Sequence, residues 1–194
     1  MKIGLYGGTF DPIHIAHLII AQYIKEELHL SKVIFIPSGS PPHKEVYSAK
    51  ALRLKMVQAS IQGNPDFDCS EIEIHGSDTN YSVETILRLK KELDISAQSL
   101  FWIIGSDNFM DFPKWKEPEK ILQMCNVVVF PRESNDFEKA PPEFKHHESV
   151  HLLDAPILQI SSTEIRTLIQ QERSIKYLVP PPVERIIRSN NLYR

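Results

Sequence analysis

Met1-Lys2-Ile3-Gly4-Leu5-Tyr6-Gly7-Gly8-Thr9-Phe10-Asp11-Pro12-Ile13-His14-Ile15-Ala16-His17 opens the chain. Ile3 to Tyr6 is a short apolar run of the kind that forms a buried strand. It breaks at Gly7-Gly8, turns at Asp11-Pro12 and enters an apolar helical stretch that carries His14 and His17. Strand, glycine loop and helix in that order bring backbone N–H groups and a helix N-terminus to a bound phosphate. Two histidines three apart share a helical face and can meet one anion. Gly7, Gly8, Thr9 and Phe10 therefore stand as nucleotide-binding candidates, and His14 and His17 as catalytic ones. A tight turn that needs only glycine dihedrals would use the same two glycines.

The spacing excludes two better-known phosphate loops. Gly4-Leu5-Tyr6-Gly7-Gly8 does not match G-x-G-x-x-G, and no G-x-x-x-x-G-K-[ST] follows. Two histidines at this spacing with no third ligand nearby make a poor zinc site. An imidazole beside a phosphate suits the chemistry better. Its ordinary pKa of about 6.5 rises next to an anion, so these rings are expected as charged donors to oxygens that gain charge in a transition state.

Composition bounds the rest. With 194 residues, 42% hydrophobic and 24% charged, the chain reads as one domain, 1–194, large enough to bury a core. A net charge of −3 argues against a general nucleic-acid binder. Cys69 and Cys125 are too few for a disulfide scaffold, the N-terminus shows no signal-peptide pattern, and no apolar run approaches membrane-spanning length. The expectation is a cytoplasmic protein with no nucleic-acid or membrane partner; a homo-oligomer is left open.

Further strands are expected at Val33–Pro37, Phe67–Ile74 (alternating, and so nearer an edge), Leu100–Ile104, Val127–Phe130 and Val150–Leu153. Helices are expected at about His17–Leu28, Ala49–Gln62, Ser82–Leu93, Ser161–Gln171 and Val183–Asn190. This alternation predicts an α/β fold: a Rossmann-like, doubly wound, mainly parallel sheet with helices on both faces. Ligands of such sheets sit beyond the C-terminal strand ends, at the switch in strand order. Pro37–Lys50 and Arg132–Ser149 read as polar, mobile lid loops.

Other candidates follow the later strands. Ile160-Ser161-Ser162-Thr163-Glu164-Ile165-Arg166 contains Ser161-x-x-Glu164, a capping box, and such a helix start also offers N–H groups and hydroxyls. Arg166, a turn further on, can fork onto phosphate oxygens. Lys44, in Pro41-Pro42-His43-Lys44, can pair with a phosphate or stand solvated. Asp107, just after Gly105, can accept from sugar hydroxyls or an adenine amino group, or cap the next helix. Trp115, beside Lys116, offers an indole face for a flat heterocycle, or a plug for the core.

Together these stretches resemble a known family. The first matches G-G-[ST]-F-D-P-x-H-x-[GA]-H, the signature of the nucleotidyltransferase superfamily. P-P-H-K, Asn80-Tyr81-Ser82-Val83-Glu84-Thr85, G-[AS]-D-N-x-x-x-x-P-x-W-K and I-S-S-T-x-I-R occur in this order in the bacterial nicotinate-nucleotide adenylyltransferases. The resemblance covers essentially the whole chain. It implies adenylyl transfer from ATP to nicotinate mononucleotide, by in-line attack of the mononucleotide phosphate on the α-phosphate. It implies that ATP lies along Gly7, Gly8, Thr9, Phe10, the two histidines, Gly105, Asp107 and Ile160, Ser161, Ser162, Thr163 and Arg166. It further implies Trp115 stacked on the pyridine ring, backbone groups around Thr85 and Lys116 at the nicotinate carboxylate, and Lys44 at the mononucleotide phosphate. Mg2+ is expected, held mainly through ATP phosphates and water. Nicotinamide mononucleotide or another phosphorylated acceptor, and a non-catalytic nucleotide sensor, are the alternatives.

Overall fold

Strand residues two apart share a face of a sheet, and here both faces are apolar. Tyr6, Val33, Phe35, Phe101, Ile103, Val128 and Phe130 are buried on one side. Ile3, Leu5, Ile34, Ile36, Leu100, Trp102, Ile104, Val127 and Val129 are buried on the other. Such strands need helices above and below.

The computed structural model describes residues 1–41, 45–75, 79–134 and 136–194. In chain order the elements are β1 (Ile3–Gly8), α1 (Ile15–Glu27), β2 (Lys32–Pro37), α2 (Lys50–Ile61), β3 (Phe67–Cys69), α3 (Ser82–Glu92), β4 (Leu100–Gly105) and α4 (Ser106–Met110). There follow α5 (Pro118–Met124), β5 (Asn126–Phe130), α6 (Pro142–Lys145), β6 (Val150–Leu152), α7 (Ser162–Gln170) and α8 (Pro181–Ser189). All five strand pairings are parallel, in the order β3-β2-β1-β4-β5-β6. Helices α1, α2, α7 and α8 cover the first face, and α3 to α6 the second. The expected doubly wound α/β fold is what forms. Strand order reverses between β1 and β4, which places a binding crevice beyond Gly8 and Gly105. No helix among the described residues is long and apolar enough to cross a membrane.

Four local expectations are corrected. β1 does not break at Gly7-Gly8 but runs through both. Neither glycine has a positive φ; the left-handed residue of the turn is Phe10, at φ 50°. The glycines are needed for room: a methyl group on Gly7 would lie 2.8 Å from the Trp102 ring, and one on Gly8 2.8 Å from the Phe10 ring. The third strand stops at Cys69, because Glu71–Ile74 closes a turn (Ile74 N–H to Glu71 O, 2.8 Å) that carries the Glu73 carboxylate inward. The segment Arg132–Ser149 is not an open lid. It contains a 3-10 turn at Asp136–Lys139 and helix α6, with Ala140 and Phe144 buried and the Phe144 ring edge-on to Phe112 at 5.1 Å. Finally, α5 was not foreseen; it starts at Pro118 after the left-handed Glu117 (φ 52°).

Candidate active site

His14 is the N-cap of α1, held extended at φ −139° and ψ 171°. Its ring is buried, 1% exposed, and its Nδ1 has no hydrogen-bond partner among the described residues. The His14 N–H donates to Nδ1 of His17 at 3.2 Å, and the two rings stack with centroids 3.7 Å apart. An Nδ1 that accepts carries no proton, so the His17 proton resides on Nε2. Phe10 packs edge-on against His17 at 5.0 Å. Burial first, then the Arg132 guanidinium, push the His14 pKa down to about 3, so it is neutral. The charge that would oppose both arrives only with a phosphate.

The C-terminal motif folds back onto this loop. Ser161 caps α7 by accepting from Glu164 N–H at 3.1 Å, as the S-x-x-E spacing predicts. Ile165 is buried, and Ile160 packs against the core. That anchors a helix start whose Ser162 hydroxyl donates to Pro12 O at 2.9 Å. Arg166 Nη1 donates to Asp11 O at 2.9 Å and Nη2 to the Thr163 hydroxyl at 3.3 Å. The guanidinium also lies 4.0 Å from the Tyr47 ring centre. Two motifs some 150 residues apart thus share one loop.

Beneath that loop are three residues the sequence reading missed. Asp11, read only as a turn residue, is 3% exposed. Its carboxylate accepts from Tyr47 N–H (2.6 Å), Ser48 N–H (3.3 Å), the Ser48 hydroxyl (2.6 Å) and the Tyr193 hydroxyl (2.6 Å). Arg53, 1% exposed, donates to the carbonyls of Thr9 (2.8 Å), Gly39 (3.0 Å) and Ser48 (3.4 Å). It lies on the stripe of α2 that buries Met56 and Val57. An arginine on an apolar helical stripe is a readable signal, since arginine is almost never fully buried unpaired. Tyr193 left no such signal.

Across the switch point, Gly105 closes β4 and is the N-cap of α4. A Cβ there would collide with Asp107 Oδ1 and lie 3.2 Å from Arg132 Nε. Asp107 and Arg132 pair at 3.6 Å, and Arg132 N–H donates to the Ser106 hydroxyl at 2.9 Å. Arg132 adds to the lowering that burial imposes on His14 and partly offsets the rise that burial gives Tyr6, which places its charge on the histidine side. It too was missed, although a Pro131-Arg132 pair just past a strand end was a signal.

The remaining candidates gather at the start of α3. The buried Thr85 hydroxyl donates to Glu73 Oε1 at 2.6 Å, and its N–H donates to Tyr81 O at 3.1 Å. Lys116 pairs with Glu84 at 2.6 Å and lies 4.5 Å from the Tyr81 ring centre. Trp115, half-buried, packs against Phe112 at 5.4 Å. The loop after β2 is clasped to this region, with Ser40 N–H donating to Asn80 Oδ1 and Asn80 N–H to Ser40 O. Lys44 lies outside the described residues. A cavity of about 570 Å³ lined by Ile169, Arg173, Ile187 and Leu192 opens elsewhere and contains none of these groups. No group of three or more His, Cys, Asp or Glu among the described residues could hold a metal ion.

The switch point thus has stacked histidines on one side and a helix start bearing arginine on the other. The chain belongs to the cytidylyltransferase-like family, which matches residues 5–168. Within it, the chain is 41% identical to the probable nicotinate-nucleotide adenylyltransferase of Caldicellulosiruptor bescii, with all of both chains covered. It is 43% identical to the protein of that name from Clostridium botulinum, covering all of this chain and 98% of that one. A Plasmodium falciparum nicotinic acid mononucleotide adenylyltransferase, solved with NaAD, has the same fold. Its TM-score is 0.78 at 22% identity, over 99% of this chain and 97% of that one.

Proposed function

We propose that this chain transfers the AMP moiety of ATP to the phosphate of nicotinate mononucleotide, releasing pyrophosphate and forming deamido-NAD in NAD biosynthesis. The observation that carries it is the docking of Arg166 and Ser162 on Asp11 and Pro12. It sets an arginine and a capped helix start against the histidine loop, as a triphosphate requires. Full-length relatives at about 40% identity support the acceptor.

A mononucleotide phosphate oxygen attacks the α-phosphorus in line. The new P–O bond forms as the bond to the β-phosphate bridging oxygen breaks, and pyrophosphate leaves with that electron pair. No enzyme nucleophile is required, so catalysis is positioning and neutralisation of charge. His17 donates from Nε2 to α-phosphate oxygens, and His14 meets the same anion from the cap of α1. Arg166 holds the leaving pyrophosphate. Gly7, Gly8, Thr9 and Phe10 line the phosphates, while Asp107, set by Arg132, and Ile160 to Thr163 take the nucleoside. Trp115 stacks on the pyridine ring, Thr85 and Lys116 orient its carboxylate through nearby backbone, and Lys44 serves the acceptor phosphate. Magnesium favours oxygen ligands, and the described residues do not form an oxygen cage for it. Mg2+ carried on the ATP phosphates would supply positive charge there.

One domain, residues 1–194, supplies every group named, and the chemistry asks for no second copy. Two unpaired thiols, Cys69 and Cys125, suit a reducing cytoplasm. The test is pyrophosphate release from Mg-ATP with nicotinate mononucleotide, nicotinamide mononucleotide and phosphopantetheine in parallel. Strong preference for the nicotinate substrate is expected; equal or better turnover with another would overturn the acceptor.

A further inference from the structure

The last residues of the chain return to the first loop. Asn191 and Tyr193 take left-handed φ values of 50° and 63°, a conformation disfavoured for residues with a side chain. The bend carries the Tyr193 ring inward to 8% exposure and sets its hydroxyl 2.6 Å from Asp11 Oδ1 and 3.3 Å from the Ser48 hydroxyl. Oδ1 also receives the Ser48 hydroxyl, and Oδ2 the Tyr47 N–H. From the same Asp11, the main-chain carbonyl accepts Arg166 Nη1, while the Tyr47 ring stands against the Arg166 guanidinium. Asp11 therefore fixes Arg166 twice: directly through its carbonyl and indirectly through the aromatic residue its carboxylate holds.

We propose that Tyr193 is a positioning residue for the triphosphate of ATP, acting through Asp11 and Tyr47 on Arg166. The hydroxyl is a hydrogen-bond donor to a buried carboxylate, a type of bond that resists replacement by water in a closed site. The proposal rests on Arg166 meeting ATP, as in the function proposed above, but not on which acceptor is used.

The test is a double-mutant cycle read in the affinity for ATP, by calorimetry, and in kcat. It compares wild type, Tyr193→Phe, Arg166→Ala and the double variant. Loss of one such hydrogen bond is expected to weaken ATP about fivefold to tenfold in Tyr193→Phe. The KM for nicotinate mononucleotide should stay unchanged, and Tyr193→Phe should have no further effect once Arg166 is alanine. A purely structural tyrosine gives a different result, because independent effects add. The same loss in both backgrounds, or wild-type ATP affinity in Tyr193→Phe, overturns the proposal. If wild type binds ATP but does not use nicotinate mononucleotide, the acceptor assignment alone fails, and the ATP cycle still decides on Tyr193. Should Tyr193→Phe not fold, Ser48→Ala removes another partner of Oδ1 and enters the same cycle with the same expectations.

Discussion

The His14 main-chain N–H donates to the His17 ring at Nδ1, so the cap of α1 itself fixes the proton of a neutral His17 on Nε2. His17 can in this way donate from Nε2 while uncharged. Removing one preorganised donor of this kind typically costs about 10²- to 10³-fold in kcat. His17→Ala should lower pyrophosphate release by that order and leave the circular-dichroism spectrum intact. Turnover within a few-fold of wild type would take His17 out of the chemistry.

His14 makes stability depend on pH. Its folded pKa lies at about 3 against an ordinary 6.5. Above pH 6.5 neither the folded nor the unfolded chain protonates it, and its contribution to stability is complete. As pH falls from 6.5 towards 3, the unfolded chain takes a proton that the folded chain refuses, and stability declines. The slope approaches about 1.4 kcal/mol per pH unit. Denaturant titrations between pH 7 and 5 should show this decline in wild type and lose most of it in His14→Asn. An equal slope in both proteins would count against a neutral, buried His14.

Arg132 bears on the same group. Its guanidinium helps lower the His14 pKa, so Arg132→Gln should raise that pKa and narrow the window of pH-dependent stability. Because Arg132 also pairs with Asp107, the variant should weaken ATP by about a few-fold, the size of a partly exposed ion pair. Histidine NMR titration and ATP calorimetry check the two effects separately.

Trp115 has one face on Phe112 and is only half-buried. Stacking of a base on an aromatic ring is worth about 1–3 kcal/mol. Trp115→Ala should therefore raise the KM for nicotinate mononucleotide about tenfold or more and leave ATP affinity within twofold. Unchanged KM would make Trp115 a core residue only.

Gly7 tests the packing of the strand end. A methyl group there meets the Trp102 ring at 2.8 Å, and Trp102 is buried with little space to retreat. Overpacking of this kind costs about 1–3 kcal/mol, so Gly7→Ala should lower Tm by several degrees. A Tm equal to wild type would show that the indole can move.

Much of the fold was legible because its strands are buried on both faces and its long helices are periodic. What escaped has local physical causes. Ile72 and Ile74 alternate with polar neighbours as strand residues do, but the residue between them is a carboxylate that turns inward to the Thr85 hydroxyl. The polar look of Arg132–Ser149 concealed Phe144, which packs on Phe112. In the site, the histidines and Arg166 were readable from side-chain chemistry. Asp11 was not read as functional because it serves groups such as Tyr47 N–H, whose proximity only the fold creates; Arg53 was signalled by its apolar stripe, but its acceptor, Thr9 O, was not. For the same reason the bonds of Thr85 to Glu73 and Tyr81 could not be foreseen.

The bonds that tie Asp11 to Arg166 and Tyr193 span 155 and 182 positions of sequence. The parallel sheet uses no residue beyond β6, whereas the loop at Asp11 draws its arginine from α7 and its tyrosine from beyond α8. Contacts of such separation form late, and chains are made from the N-terminus onward. These long-range bonds close onto Asp11 only after the strands themselves have been made.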